Sequence, residues 1–424
     1  MNIVSARRHH RDPIIWLCAI AAALALAACG KTSSTGSSSS SSAAVASSSS
    51  SGGSSSTTVA ASSGGCGSVP ALPYHDQSGA LSSLGSKYTS QFNGYAAPIF
   101  KSAYANFKPA GKPPYTVGIS VTAPVSPTQA ALIPRLQKEL KAVKGVGKVV
   151  LLTSPPTGLT TQLQQAHSLI QQHVSFIVAE PLVPQPFIPI AAAAKAAGIP
   201  FISIFNATPS PDAINIAPNS VGDALTSGAQ LAKMIGGKGV VLGVHGIEAT
   251  GVDQESFAGW KMAFGKCPGI HFDSSIVGQF QPAVAKAQML SYLSSHPQPV
   301  AGVVETAGMT SGILQAFQQT GRPLPVFVAA GPSVGELAFF KTHTNRLISA
   351  FTITPQGVVA ATAYTIAQLI AGHGPKVSEL SSLSDDINSS NLSHWAPASA
   401  SVSDQSVVEG PWLPQSYLAP LFNK

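Results

Sequence analysis

Charge is scarce in this chain: only 10% of its 424 residues are Asp, Glu, Lys or Arg, and 7% are aromatic. The lysines are scattered, acidic residues fall among them, and no basic stripe with interleaved aromatics occurs, which removes the electrostatic footprint of a nucleic-acid-binding protein. Catalytic signatures are missing as well. Beyond residue 29 there is no HExxH pair, GxxxxGK[ST] loop or CxxC, the local marks of zinc peptidases, nucleotide-driven motors and redox proteins. His245, Glu248 and Asp253 lie close in sequence and invite an acid/base reading, but so local a grouping is better explained by a strand-end histidine. The other histidines stand singly, without metal-ligand spacing. Neither a metal nor a cofactor is expected, and the chain reads as a non-enzyme.

The one long unbroken run of apolar residues is N-terminal. Arg7, Arg8 and Arg11 precede Pro13 to Ala28, which includes IIWLCAIAAALALAA, the pattern of a secretory signal peptide over residues 1–28. The run is too short for a comfortable membrane span and is followed by Gly30, Lys31 and serines instead of a stop-transfer pattern. It ends in Leu26-Ala27-Ala28-Cys29, which resembles the bacterial lipobox. That resemblance implies export and a diacylglycerol on Cys29, holding the chain to the outer face of the cytoplasmic membrane or to the cell envelope. The tandem arginines hint at a twin-arginine route, yet RRHHRDP lacks the apolar residues that should follow, so the route stays open.

Residues 29–67 are almost wholly Ser, Gly, Ala and Thr after the cysteine. Such a composition cannot bury enough apolar surface to offset its ordering entropy. At ~5–6 Å times the square root of about thirty residues, this flexible tether reaches roughly 30 Å from the lipid.

Cysteine is rare too. Of the four, Cys18 leaves with the signal and Cys29 takes the lipid, leaving Cys66 and Cys267 in oxidising surroundings. Two free thiols, a bridge to another chain and an intramolecular bridge all fit; the expectation tested below is a disulfide tying the tether's end to the distal part of the fold.

What is abundant is apolar residue, 44% of the chain, enough for two lobes of ordinary domain size over residues 68–424. Once the signal's three arginines and Asp12 are removed, the net charge of +7 falls to about +5, too little to point to a partner. Short runs rich in Val, Ile and Phe alternate with longer runs at helical spacing. Strands are expected at 115–121, 148–153, 175–179 and 200–205, then at 239–245, 271–277, 299–304, 324–330 and 347–352. Leu132, Leu136, Leu140 and Val143 share one helix face; Leu159, Leu163, Ala166 and Ile170 share another. The fold class is α/β, built of parallel sheets with right-handed crossovers, in two consecutive sets of βα units.

Four stretches carry a more specific likeness: FIVAEPLVPQPFIPIAAAAKAAGIPFISIFN, NSVGDALTSGAQLAKMIGGKGVVLGVHG, FAGWKMAF and AGVVETAGMTSGILQAFQQTGRPLPVFVAAG. From about Tyr115 to Gly372 the chain resembles the type I periplasmic binding proteins of the ribose-binding-protein-like branch. The resemblance implies two Rossmann-like lobes joined by a three-segment hinge, with a ligand closed between them. It divides the chain into an N-terminal extension at 68–114, a first lobe at 115–217 and 354–378, and a second lobe at 218–353 and 379–424 that includes the C-terminal tail.

In open α/β sheets, ligands gather outside the carboxyl ends of strands. Those positions nominate Thr122 and Ser126, Glu180, Phe205 and Asn206 from the first lobe, Asn219 at the first crossover, Glu248, Ser256, Glu305 and Thr306 from the second lobe, and Phe351 on a hinge strand. Phe280 is a further candidate for stacking. Compared with the sugar-binding pattern, Phe205-Asn206 stands where Asp-Arg is usual, Ser256 where Arg is usual, Thr306-Ala307 where Asn-Asp is usual, Ala330 for an Asp and Ile353 for a Gln. The expected ligand is therefore less hydroxylated than a pentose or hexose: aromatic, amide-like or cationic. The resemblance implies a monomer that captures a small molecule and delivers it to an ABC permease. A ligand sensor feeding a membrane receptor is the alternative; a hydrolase would be a reading of another class, and a repressor of this fold would need a helix-turn-helix where the serine tether stands.

Overall fold

The computed structural model describes residues 65–424 except Ile353, Pro411 and the side chains of 347–352. The signal segment, Cys29 and nearly all of the tether lie outside the described residues, as do Ile353 and the side chain of Phe351.

Residues 68–114 form an extension with one helical turn, α1 (Ser86–Thr89), between two 3₁₀ turns. Leu81, Tyr88, Phe92, Tyr95, Ile99 and Tyr104 are buried in the same apolar cluster as the strands that follow. The extension is thus part of the first lobe's core, fastened there by aromatic side chains.

The first sheet is built from β1 (Tyr115–Thr122), α2 (Pro127–Ala142), β2 (Val146–Ser154), α3 (Leu159–Gln171), β3 (Phe176–Ala179), α4 (Ile188–Ala196), β4 (Phe201–Ile204) and β5 (Ala213–Ile216). Its order is β2-β1-β3-β4-β5, parallel throughout. Helices cover both faces, so β3, β4 and β5 are buried at every residue; β3 is wholly apolar, while β4 and β5 each hold one polar residue, Ser203 and Asn215. Leu132, Leu136 and Leu140 of α2 fill one side; Ala166 and Leu169 of α3 fill the other, with Leu159, Leu163 and Ile170 packed at its margin.

The second sheet follows with α5 (Ser220–Met234), β6 (Lys238–His245), α6 (Gly251–Phe264), β7 (Gly269–Val277), α7 (Pro282–Ser295), β8 (Val300–Glu305), α8 (Thr310–Thr320), β9 (Val326–Ala330), α9 (Val334–Lys341) and β10 (Leu347–Thr352). After α10 (Pro355–Ile370), which packs against α2 in the first lobe, the chain returns to add β11 (Asp385–Ile387) antiparallel to β10. The order is β11-β10-β9-β8-β6-β7. Two strands were not legible beforehand: β5, a four-residue run, and β11, whose sequence DDI lacks an apolar run.

Three of the segments that join the lobes are 217–219, the link from β10 to α10, and 378–384. The first and third run side by side, with Asn215 N–H donating to Ser378 O at 2.7 Å and Leu380 N–H donating to Asn215 O at 2.7 Å. Between them Glu379 is fully buried, accepting from Asn215 Nδ2 at 2.6 Å and from the Tyr95 hydroxyl at 2.7 Å.

The tail corrects the expectation that 379–424 belongs with the second lobe. Trp395, Ala396 and Val408 do sit on the second core, after the turn α11 (Leu392–Trp395). Trp412, Leu413, Leu418, Leu421 and Phe422, around α12 (Gln415–Leu418), are buried in the first. Five large apolar side chains need a core, and α10 leaves room for them at Gly357, where a Cβ would lie 2.7 Å from the Trp412 backbone nitrogen. The chain therefore crosses between the lobes once more, between Val408 and Trp412.

Cys66 and Cys267 are joined by a disulfide with Cα atoms 4.7 Å apart. It fastens the start of the described chain to the loop between α6 and β7, and Leu72 packs on the second-lobe core beside it.

Candidate ligand-binding cleft

A cleft between the sheets is lined from both lobes. The first contributes Thr122, Val125, Ser126, Thr128, Gln129, Pro156, Glu180, Pro181, Leu182, Phe205 and Asn206; the second contributes Ser220, Asp223, Ile247, Thr250, Val252, Phe280, Thr306, Ala307, Ala330 and Gly331. Nearly all of these follow the carboxyl end of a strand or open the next helix, where a parallel sheet presents its loops. The free space open to the centre of a water-sized sphere is about 120 Å³. At roughly 10–15 Å³ per water in that measure, it holds on the order of ten waters, the bulk of a solute of about ten non-hydrogen atoms.

Of the residues nominated from sequence, Thr122, Ser126, Glu180, Phe205, Asn206 and Thr306 come together here. Glu180 is 9% exposed; its Oε1 accepts from Gln129 Nε2 at 3.0 Å, while Oε2 is buried with no partner. Burial raises its carboxyl to about 7, against a smaller lowering by Gln129. The carbonyl of Glu180 accepts from the buried Gln162 side chain at 2.7 Å, which holds the loop after β3 in place. Thr306 Oγ1 is likewise buried and unpartnered. Ser126 caps α2, accepting from Gln129 N–H at 3.2 Å. Asn206 spans the cleft: Nδ2 donates to Pro181 O and Oδ1 accepts from Val252 N–H, each at 3.0 Å.

Other nominated residues are placed elsewhere. Asn219 caps α5, accepting from Gly222 N–H and donating to the carbonyls of Gln91 and Asn93 in the extension. Glu305 is fully buried, with Oε1 accepting from Thr310 Oγ1 and Ala330 N–H and Oε2 from Met309 N–H, so it serves the backbone at α8 and β9. Burial, then Glu336, raises it to about 8. Glu248 is exposed, and Ser256 is buried one turn into α6 outside the lining, its Oγ without a partner. The His245 grouping resolves into a structural pair: Nδ1 lies 2.7 Å from Asp253 Oδ2, Asp253 Oδ1 accepts from Gly246 N–H, and the ring stacks on Phe257.

Two lining residues carry more than sequence assigned them. Asp223, in the first turn of α5, accepts from Ser384 N–H at 3.0 Å and from its hydroxyl, and burial raises it to about 7; an acid four residues past the Asn219 cap was the available signal. Phe280 lines the second-lobe wall. It and Phe205 adopt left-handed backbones, with φ of 58° and 60°, a geometry that costs roughly 1–2 kcal/mol outside glycine and concentrates at functional sites. Among the described residues, no group of three or more His, Cys, Asp or Glu could hold a metal ion, and no helix is long and apolar enough to cross a membrane.

Comparison with known proteins bears on the fold. The xylitol-binding protein of Mycolicibacterium smegmatis is 29% identical over 166 residues, 39% of this chain and 48% of that protein, so the match spans about half of the relative's length. An ABC transporter solute-binding protein from Thermobispora bispora superposes with a TM-score of 0.62 at 21% identity, covering 71% of this chain and 92% of its own. One from Mycobacterium smegmatis, with bound glycerol, gives 0.61 at 19% identity, covering 70% and 99%. Both show the same fold of two lobes. The model of the periplasmic binding protein domain matches residues 117–374, more than half of the sequence, and the chain belongs to the periplasmic binding protein family.

Proposed function

We propose that this chain captures a small solute outside the cytoplasm and, by closing its lobes, delivers it to an ABC importer. The observation that carries this reading is a cleft lined from both lobes in which Glu180 Oε2 and Thr306 Oγ1 are buried without partners. A buried polar atom left unpaired costs about 1–3 kcal/mol, and a ligand reaching both would relieve that cost only in the closed form. Closure converts occupancy into a shape that a permease can read.

Among the described residues no lysine, arginine or histidine lines the cleft, whereas Glu180 and Asp223 do, which disfavours an anionic cargo. Its size is that of a small polyol, a monosaccharide or a short amine. The relatives named for xylitol and found with glycerol are of that size class. In this reading Cys29 carries a lipid, the serine tether gives the lobes reach, and the protein turns nothing over; it works as a monomer.

The test is calorimetric titration of the full chain with small sugars, polyols, amines and organic acids, paired with solution scattering. The expected result is one-to-one binding with a smaller radius of gyration on saturation, and unchanged solute recovered afterwards. Binding without compaction, or chemical conversion of the solute, would overturn the reading.

A further inference from the structure

We propose that the cleft selects a solute bearing a protonated amine, whose nitrogen meets Glu180 while its apolar part lies against Phe205 and Phe280. The inference rests on the capture reading above and names its cargo.

It follows from an inventory of donors and acceptors. A sugar hydroxyl brings accepting lone pairs as well as a proton, and sites for sugars meet the lone pairs with N–H groups, most effectively from forked Arg or free amides. This cleft has few of them, and among the described residues no Arg or Lys lines it. Each of its two side-chain amides spends one of its two N–H groups on the protein, Gln129 Nε2 on Glu180 Oε1 and Asn206 Nδ2 on Pro181 O. The helix N-termini at its rim each give one N–H to a side chain: Gln129 N–H to Ser126, Gly222 N–H to Asn219, Val252 N–H to Asn206. Anions and carbonyl-rich solutes are disfavoured by the same count.

Acceptors, by contrast, are in surplus. Glu180 is more than nine-tenths buried, lines the cleft and has one oxygen without a partner. Asp223 adds a second carboxyl whose own bonds to Ser384 are complete. An ammonium group is all donor and no acceptor, so it fits a wall of this kind without leaving lone pairs stranded. Its charge also offsets the cost of keeping a carboxylate ionised away from water. Phenylalanine faces are favourable for both the alkyl part and the cation.

The experiment titrates the full chain with matched pairs, putrescine against butanediol and glucosamine against glucose, with xylitol and myo-inositol as neutral polyols. The amine of at least one pair should bind about tenfold or more tightly than its neutral partner. Glu180→Gln should erase that difference while melting no lower than the wild type, because it removes a buried carboxyl with one oxygen unpaired; loss of amine selectivity without loss of stability is what a purely structural Glu180 would not give. If Glu180→Gln fails to fold, the matched pairs on the wild type decide alone. Tighter binding of glucose, xylitol or myo-inositol than of either amine overturns the amine inference and leaves the capture reading standing. Binding of neither class, with no compaction in scattering, overturns both.

Discussion

Asn206 accepts the backbone N–H of Val252 at 3.0 Å, a direct hydrogen bond from the first lobe to the start of α6 in the second. The same side chain donates to Pro181 O, so it is held from one lobe while it grips the other. Asn206→Ala removes the bond and leaves the Val252 N–H facing the cleft. Cargo affinity should fall about tenfold, mainly through faster release, because a net hydrogen bond contributes roughly 1 kcal/mol and the closed form loses it outright. Stopped-flow release rates check this; an unchanged rate would mean the bond plays no part in closure.

Cys66 and Cys267 are 201 residues apart in sequence, so their disulfide closes a very long loop. In the chain-entropy account such a cross-link stabilises by up to about 5 kcal/mol. Reductant, or Cys66→Ser with Cys267→Ser, should lower the Tm by several degrees. Non-reducing peptide mapping should recover the two cysteine-containing peptides as one cross-linked species; two separate thiol peptides would contradict the pairing.

Stability should fall from mildly acidic to mildly basic pH. Burial raises Glu180, Asp223 and Glu379 to about 7 and Glu305 to about 8, all above their unfolded values near 4. Between those limits the folded chain holds protons that the unfolded chain releases, so the stabilisation present below pH about 4 is lost as pH rises through 7 to 8. Without cargo, the Tm at pH about 5 should exceed that at pH about 8 by about 5 °C or more. A melting curve that rises with pH over that window would show these acids to be ionised in the folded chain.

Much of the fold was legible because parallel strands covered on both faces read as nearly continuous apolar runs. That is why β1, β3, β4, β8 and β9 stood out as Val-, Ile- and Phe-rich runs, and why Leu132, Leu136 and Leu140 declared a helix face. The rule that ligands gather at strand carboxyl ends nominated Thr122, Ser126, Glu180, Phe205, Asn206 and Thr306, which lie together in the lining. It had no means of saying which way a side chain turns. Glu305 occupies just such a position and spends both oxygens on the backbone, while Asn219 caps a helix. Asp223 was hidden because its cleft position depends on how α5 leaves the crossover. The destination of Trp412 was equally hidden, since an apolar tail shows in sequence that it needs a core but not which of two it joins.

The last expectation concerns Phe280, whose ring rests on Gly246. A Cβ at Gly246 would lie 2.0 Å from Phe280 Cε1, and Gly246 does not have a positive φ, so an alanine there is acceptable to the backbone and intolerable only to the ring. Gly246→Ala should therefore push Phe280 off the second-lobe wall of the cleft with little other damage. An aromatic contact of this kind contributes roughly 0.5–1.5 kcal/mol beyond its buried area, so the tightest solute of the panel should bind about tenfold more weakly. Phe280→Ala should weaken it by a similar factor. Because both substitutions act through the same ring, the double variant Gly246→Ala with Phe280→Ala should bind no worse than Phe280→Ala alone, a coupling that a double-mutant cycle reads directly. Additive losses would mean that Gly246 serves the cleft by some route other than the ring it supports.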